Sequence, residues 1–231
     1  MNSKNKRTLY LRWVGANGIG EMLGLGLTLA IGAIVITSLS DQQNSTTILV
    51  TFLVAVASGA IEATIVGLAQ WWAMHPWFPM IQRTAWWFAT LIGALVAYVL
   101  GYLPSTLMSL GEQTTQSQAP SAEPAQWVVL ILAAGLGIVG GAVLSFAQWI
   151  VMRKKVARAS LWMPANMLAW MVGMPIIFLG IDVTQTLSGM GWEILFMAGI
   201  LLLTGLVVGA IHGAFLVHLA LPEETPQIAS G

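Results

Sequence analysis

Apolar residues along this chain fall into six long runs, near 16–39, 48–73, 85–103, 127–151, 162–182 and 194–219. Each is long enough, or nearly so, to cross a hydrocarbon core of about 30 Å at 1.5 Å per residue. The pattern therefore predicts an all-α, polytopic membrane protein with one six-helix transmembrane domain over residues 1–221 (spans 1 to 6). The breaks at 41–46, 75–83, 104–126, 153–160 and 184–191 are polar. The 104–126 segment is rich in Ser, Thr, Gln, Pro and Glu and predicts a flexible external loop; residues 222–231 predict a disordered cytoplasmic tail. The N-terminus is basic like a signal peptide, but its apolar part runs to about Ser38, beyond a signal core of about 7–15 residues, so it reads as a retained first helix.

The runs repeat one another. Residues 59–71 read GAIEATIVGLAQW, 137–149 read GIVGGAVLSFAQW, and 209–220 read GAIHGAFLVHLA. A glycine opens each, and Ala63, Gly141 or Gly213 follows four positions later. The odd spans share W-x-x-A-[NT]-x-x-[GA]-x-x-x-[GA], beginning at Trp13, Trp86 and Trp162. The small residues carry little weight in a chain rich in Ala and Gly, but a Trp with an Asn or Thr in register makes chance a poor explanation. The expected unit is a pair of helices joined by a cytoplasmic turn. Spans 2–3 and 4–5 are two such units. Spans 6 and 1 supply the halves of a third, so three pseudo-repeated units are circularly permuted, with span 6 beside span 1. Units of one topology are related by an axis along the membrane normal.

Charge sets the expected orientation. All nine Lys and Arg lie before span 1 (Lys4, Lys6, Arg7, Arg12), between spans 2 and 3 (Arg83), or between spans 4 and 5 (Arg153, Lys154, Lys155, Arg158). These segments share one side of a six-span weave. By the positive-inside bias that side is cytoplasmic, which puts both termini inside a plasma (inner) membrane. Trp13, Trp71, Trp72, Trp77, Trp86, Trp87, Trp149 and Trp162 cluster at the same side, where an interfacial belt is expected. Asn44 begins a glycosylation-type triplet close to the membrane, a weak signal.

Three ionisable residues, Glu21, Glu62 and His212, fall deep inside spans, whereas Asp182 and His218 lie at span margins. Glu62 and His212 occupy position four of their repeat segments, where the remaining copy has Gly140. Glu21 lies eight residues beyond Trp13. Counting eight residues from each inner boundary puts all three about 12 Å deep, near the midplane. A charge there costs at least about 2.5–3.5 kcal/mol, so such groups turn towards the protein interior or water and find partners. Glu21, Glu62 and His212 are thus expected to form one proton-, ion- or substrate-handling centre, with Gly140 leaving room for water or solute. A locked Glu–His pair that only fixes packing is the competing reading. Asn17, Gln70, Thr90, Gln148 and Asn166 form a second polar level nearer the basic side, best read as interhelical hydrogen bonding worth roughly 0.6 kcal/mol each.

Composition narrows the function further. The 231 residues are 57% hydrophobic and 8% charged, against about a quarter charged in soluble domains. Zero net charge leaves no nucleic-acid footprint. The absence of cysteine removes disulfides, thiolate metal sites and Cys nucleophiles. No H-E-x-x-H spacing points to a metal, no cofactor is expected, and no soluble-enzyme motif occurs in a fitting context. The leading expectation is a transporter or channel for a small solute or ion, proton-coupled through the Glu/Glu/His cluster. Behind it stand an accessory membrane subunit without transport activity, then an intramembrane enzyme or a pigment- or haem-binding protein. The partners expected are the lipid bilayer and the solute; a homo-oligomer or a second membrane protein is compatible with the sequence.

Overall fold

The structure is a computed structural model and describes residues 3–39, 44–114 and 124–220. It is all-helical: α1 Ser3–Leu39, α2 Ser45–Met74, α3 Arg83–Thr114, α4 Gln126–Met152, α5 Trp162–Thr184 and α6 Met190–Leu219, with one 3-10 turn, Ala159–Leu161, before α5. All six are long and apolar enough to span a membrane. Helix is the expected form for such segments, because it satisfies every internal backbone N–H and C=O without water. The outer surface carries large apolar side chains, among them Leu23, Leu53, Ile92, Ile131, Leu168 and Leu203. Inside, Gly and Ala alternate with Asn, Gln, Thr and Ser. Together these features describe a multi-pass membrane bundle.

Two helices exceed their apolar runs. α1 begins at Ser3 instead of near 16 and, with 37 residues, is about 55 Å long. α3 continues through Pro104 to Thr114, so the first half of the expected 104–126 loop is helix. Pro104 removes one N–H from the ladder, the one that would bond the Leu100 carbonyl; nearby, the Ser105 and Thr106 hydroxyls both donate to the Tyr102 carbonyl. Membrane helices tolerate proline inside a span. Residues 115–123 and the tail expected to be disordered lie outside the described residues. Asn44, the sequon residue, caps α2: its side chain accepts from the Thr47 N–H at 3.0 Å. α6 starts after Gly189, whose φ of 107° suits glycine.

Each helix packs chiefly on its two neighbours in sequence, and α6 packs on α1, which closes a six-membered ring. Glycines set the closest approaches. A Cβ on Gly137 would fall on the Trp170 carbonyl oxygen, and one on Gly141 would come within 2.7 Å of the Asn166 carbonyl oxygen, so α4 and α5 meet backbone to backbone. Gly205 and Gly209 admit α1 at Asn17 and Val14 in the same way. In lipid, where apolar burial does not drive helices together, such contacts supply the association energy.

The ends of the ring differ. Leu9, Trp13, Met74, Phe78, Ile81, Trp86, Met152, Val156, Trp162, Leu216 and Leu219 form one buried cluster at the end that carries every described Lys and Arg, here called the basic end. Trp13, Trp86 and Trp162 are wholly buried there, with Trp13 and Trp86 packed on Trp162 at centroid separations of 5.7 and 6.0 Å. The belt expected of eight tryptophans therefore divides. Trp72 is exposed and Trp71, Trp77, Trp87 and Trp149 are half-buried, whereas Trp13, Trp86 and Trp162 point inward and plug the ring. Position along the sequence measures depth in a span but not which face a ring takes.

Candidate functional site

Above the tryptophans lies a knitted polar layer. The side chains of Asn17, Thr90 and Asn166 each donate to the carbonyl four residues back, on Trp13, Trp86 and Trp162. Gln70 Nε2 donates to Asn17 Oδ1 at 2.9 Å. Gln148 Nε2 reaches Thr90 Oγ1 at 3.0 Å and Gln70 Oε1 at 3.5 Å, and its Oε1 accepts from Trp162 Nε1 at 2.8 Å. All five polar residues are buried. An amide inside a bundle is costly unless paired, so this network binds α1, α2, α3, α4 and α5 into one arrangement.

The three ionisable residues do not share one depth. Gly24 of α1 sits against Glu62, where a Cβ would come 3.0 Å from the Glu62 Cα, and Glu21 lies one turn below on the same helix. The two carboxylates are near enough for their charges to interact. α6 runs in a different register from the one its repeat suggests. Gly205 faces Asn17, Gly18 and Glu21, while Gly213 faces Tyr10 and Trp13. His212 is therefore level with Trp13, about 12 Å below Glu21. It is 1% exposed, its ring lies 5.4 Å from Trp162 and 6.3 Å from Trp13, and neither ring nitrogen has a protein hydrogen-bond partner. Small residues recurring every fourth position on α6 allow several registers, and packing against α1 selects one that sequence alignment cannot distinguish.

Beyond the polar layer the ring opens into a cavity of about 420 Å³. Glu62, Tyr98, Tyr102, Gly140, Trp170 and Phe178 are among its walls, and exposed Ser105 lies at its outer end. Glu62 is half-buried and is the charged side chain of the lining; the Tyr98 hydroxyl donates to its Oε2. Glu21 is 2% exposed, lies behind this wall, and has an Oε2 without a protein partner. Gly140 does open space: a Cβ there would touch nothing closer than Ala97 at 4.0 Å. Gly59 leaves room for the Tyr98 ring, which its own Cβ would meet at 2.9 Å.

Tyr98 and Tyr102 are site residues that sequence reasoning missed. They lie four apart on α3 with ring centroids 5.9 Å apart. Two of only three tyrosines, one turn apart inside an apolar run, were the available signal. Among the described residues no three His, Asp or Glu side chains converge as metal ligands would. Chemically, the cavity offers a carboxylate and phenols within an apolar enclosure, suited to holding a cation or receiving a proton. No protein-family model matches this chain, and neither a curated protein nor a solved structure matches it.

Proposed function

We propose that this chain is a transporter for a small solute or ion, loaded at Glu62 from the end of the ring opposite the basic residues. The observation that carries the reading is the cavity of about 420 Å³ with a half-buried carboxylate in its wall. Ligand sites commonly have volumes of about 300–1,000 Å³, apolar walls and a few polar groups. A static open channel is the poorer description, because the buried tryptophans and the amide layer fill the ring at the basic end. Passage then requires that plug to move, as in alternating access. Glu62 and Glu21 form the proton-coupling pair of this mechanism, and His212, beneath the polar layer, belongs to the plug.

The orientation proposed with it has the basic end and both termini cytoplasmic in the plasma (inner) membrane. Tags at either terminus should resist protease added outside intact cells, while the 115–123 segment is cut; the reverse pattern would overturn the orientation. We also propose that α2–α3, α4–α5 and α6–α1 are three copies of one unit. Support comes from the matching carbonyl bonds of Asn17, Thr90 and Asn166. The turns offer more: Phe78 N–H bonds Met74 O and Val156 N–H bonds Met152 O, and Phe78 and Val156 are both buried.

The accessory-subunit reading has one observation in its favour, the fully bonded amide layer, which is what a purely structural bundle would need. Liposome flux separates the two. Purified protein should carry a member of a small-solute and ion panel with pH-dependent flux, and Glu62→Gln should abolish that flux while moving the melting point little. Wild-type protein that moves nothing across such a panel would leave the accessory reading standing.

A further inference from the structure

We infer that the Glu62 cavity binds a monovalent organic cation, an ammonium group carrying an apolar body. The inference rests on reading that cavity as the loading site, and it names the ligand class. The argument begins with the charges. Glu62 and Glu21 come from the neighbouring helices α2 and α1, yet every described Lys and Arg lies at the basic end and His212 is about 12 Å below Glu21. The hydrogen-bond partner of Glu62 is a neutral phenol, and Glu21 Oε2 has no protein partner. A half-buried and a buried acid without a basic neighbour make the cavity attractive to positive charge, because a carboxylate taken out of water stays ionised at least cost when a cation pairs with it.

The walls decide what kind of cation. A bare metal ion needs several converging ligands, and no three His, Asp or Glu side chains converge among the described residues. A volume of about 420 Å³ is also far larger than one ion. The remaining lining is aromatic and aliphatic: Tyr98, Tyr102, Trp170 and Phe178 beside Leu, Ile, Ala and Gly. Aromatic rings attract ammonium groups through their electron-rich faces, most strongly where water is excluded. A quaternary ammonium demands no hydrogen bond, so it can sit beside Glu62 and leave the Tyr98 bond intact. Its apolar body would then lie along α4 at Gly140, where a side chain would otherwise intrude.

Radiolabelled benzyltrimethylammonium, presented to purified full-length protein in detergent micelles, tests this directly. Saturable binding near one molecule per chain is expected. Neopentylbenzene, its uncharged isostere, should compete at least tenfold less well, as should sodium or potassium. Glu62→Gln should weaken binding at least tenfold, and Gly140→Phe should block it by filling the cavity; the second variant carries the test should the first fail to fold. Absence of saturable binding to wild type, equal competition by the uncharged isostere or by alkali ions, or undiminished binding to the folded variants would each overturn the inference. The transport reading fails separately: ammonium bound but never moved in liposomes would overturn transport alone, and flux of other solutes without ammonium binding would overturn only the ligand class.

Discussion

The two halves of this ring are built from the same helices yet packed on opposite principles. Towards the basic end, three buried tryptophans and five buried Asn, Gln and Thr side chains fill the axis. Towards the other end, the axis holds space, with Glu62 in its wall and Glu21 behind. The difference lies in how polar atoms are satisfied. Each amide of the inner half finds another amide, a hydroxyl or a backbone carbonyl. In the outer half Glu62 has one phenol and Glu21 Oε2 has none. The paired amides rigidify the inner half, and the atoms left unpaired there, Trp13 Nε1, Trp86 Nε1 and the His212 nitrogens, do not line the cavity; an acid with a single partner in the cavity wall marks a place shaped for something besides packing.

That contrast can be tested along a single helix. Gly137 and Gly140 of α4 are one turn apart and both border the cavity, but of the two only Gly137 also abuts the backbone of α5. Gly137→Ala should cost stability at the upper end of the ~1–3 kcal/mol typical of overpacking. Gly140→Ala should be neutral or slightly stabilising, since alanine is the better helix former by roughly 1 kcal/mol. Thermal unfolding in detergent reads both, and similar losses at the two positions would erase the distinction between the side of α4 packed on α5 and the side open to the cavity.

Gln148→Leu should come next. It strips Trp162 Nε1 of its acceptor and Thr90 and Gln70 of a donor. Orphaned buried groups cost about 1–3 kcal/mol, and tryptophan fluorescence should report the change at Trp162. A variant as stable as wild type would mean that the amide layer is not what holds the inner half.

His212→Leu should have the smallest effect, a shift under about 1 kcal/mol in either direction, because no protein hydrogen bond is lost and an apolar side chain suits its tryptophan surroundings. A large loss of stability would show that His212 holds the plug together. A lost flux with unchanged stability would return it to the transport pathway.

Much of this architecture follows from the chain alone. Apolar runs of about 20 residues cross lipid as helices, so six helices were readable. So was the segregation of basic residues to one end, and the choice of Asn17, Gln70, Thr90, Gln148 and Asn166 as an interhelical polar level follows from amides being too costly to leave in lipid. Tertiary structure decided the rest. Whether Trp86 faces lipid or axis while Trp87 takes the other side depends on helix rotation, which apolar runs on all faces of a helix do not encode. The register of α6 depended on which of several glycines met α1, and it parted His212 from the glutamates. The cavity forms where Glu62, Tyr98, Gly140 and Trp170, from four helices, come together. No local pattern contains that coincidence, since empty space is a property of the packed ring and of no single segment.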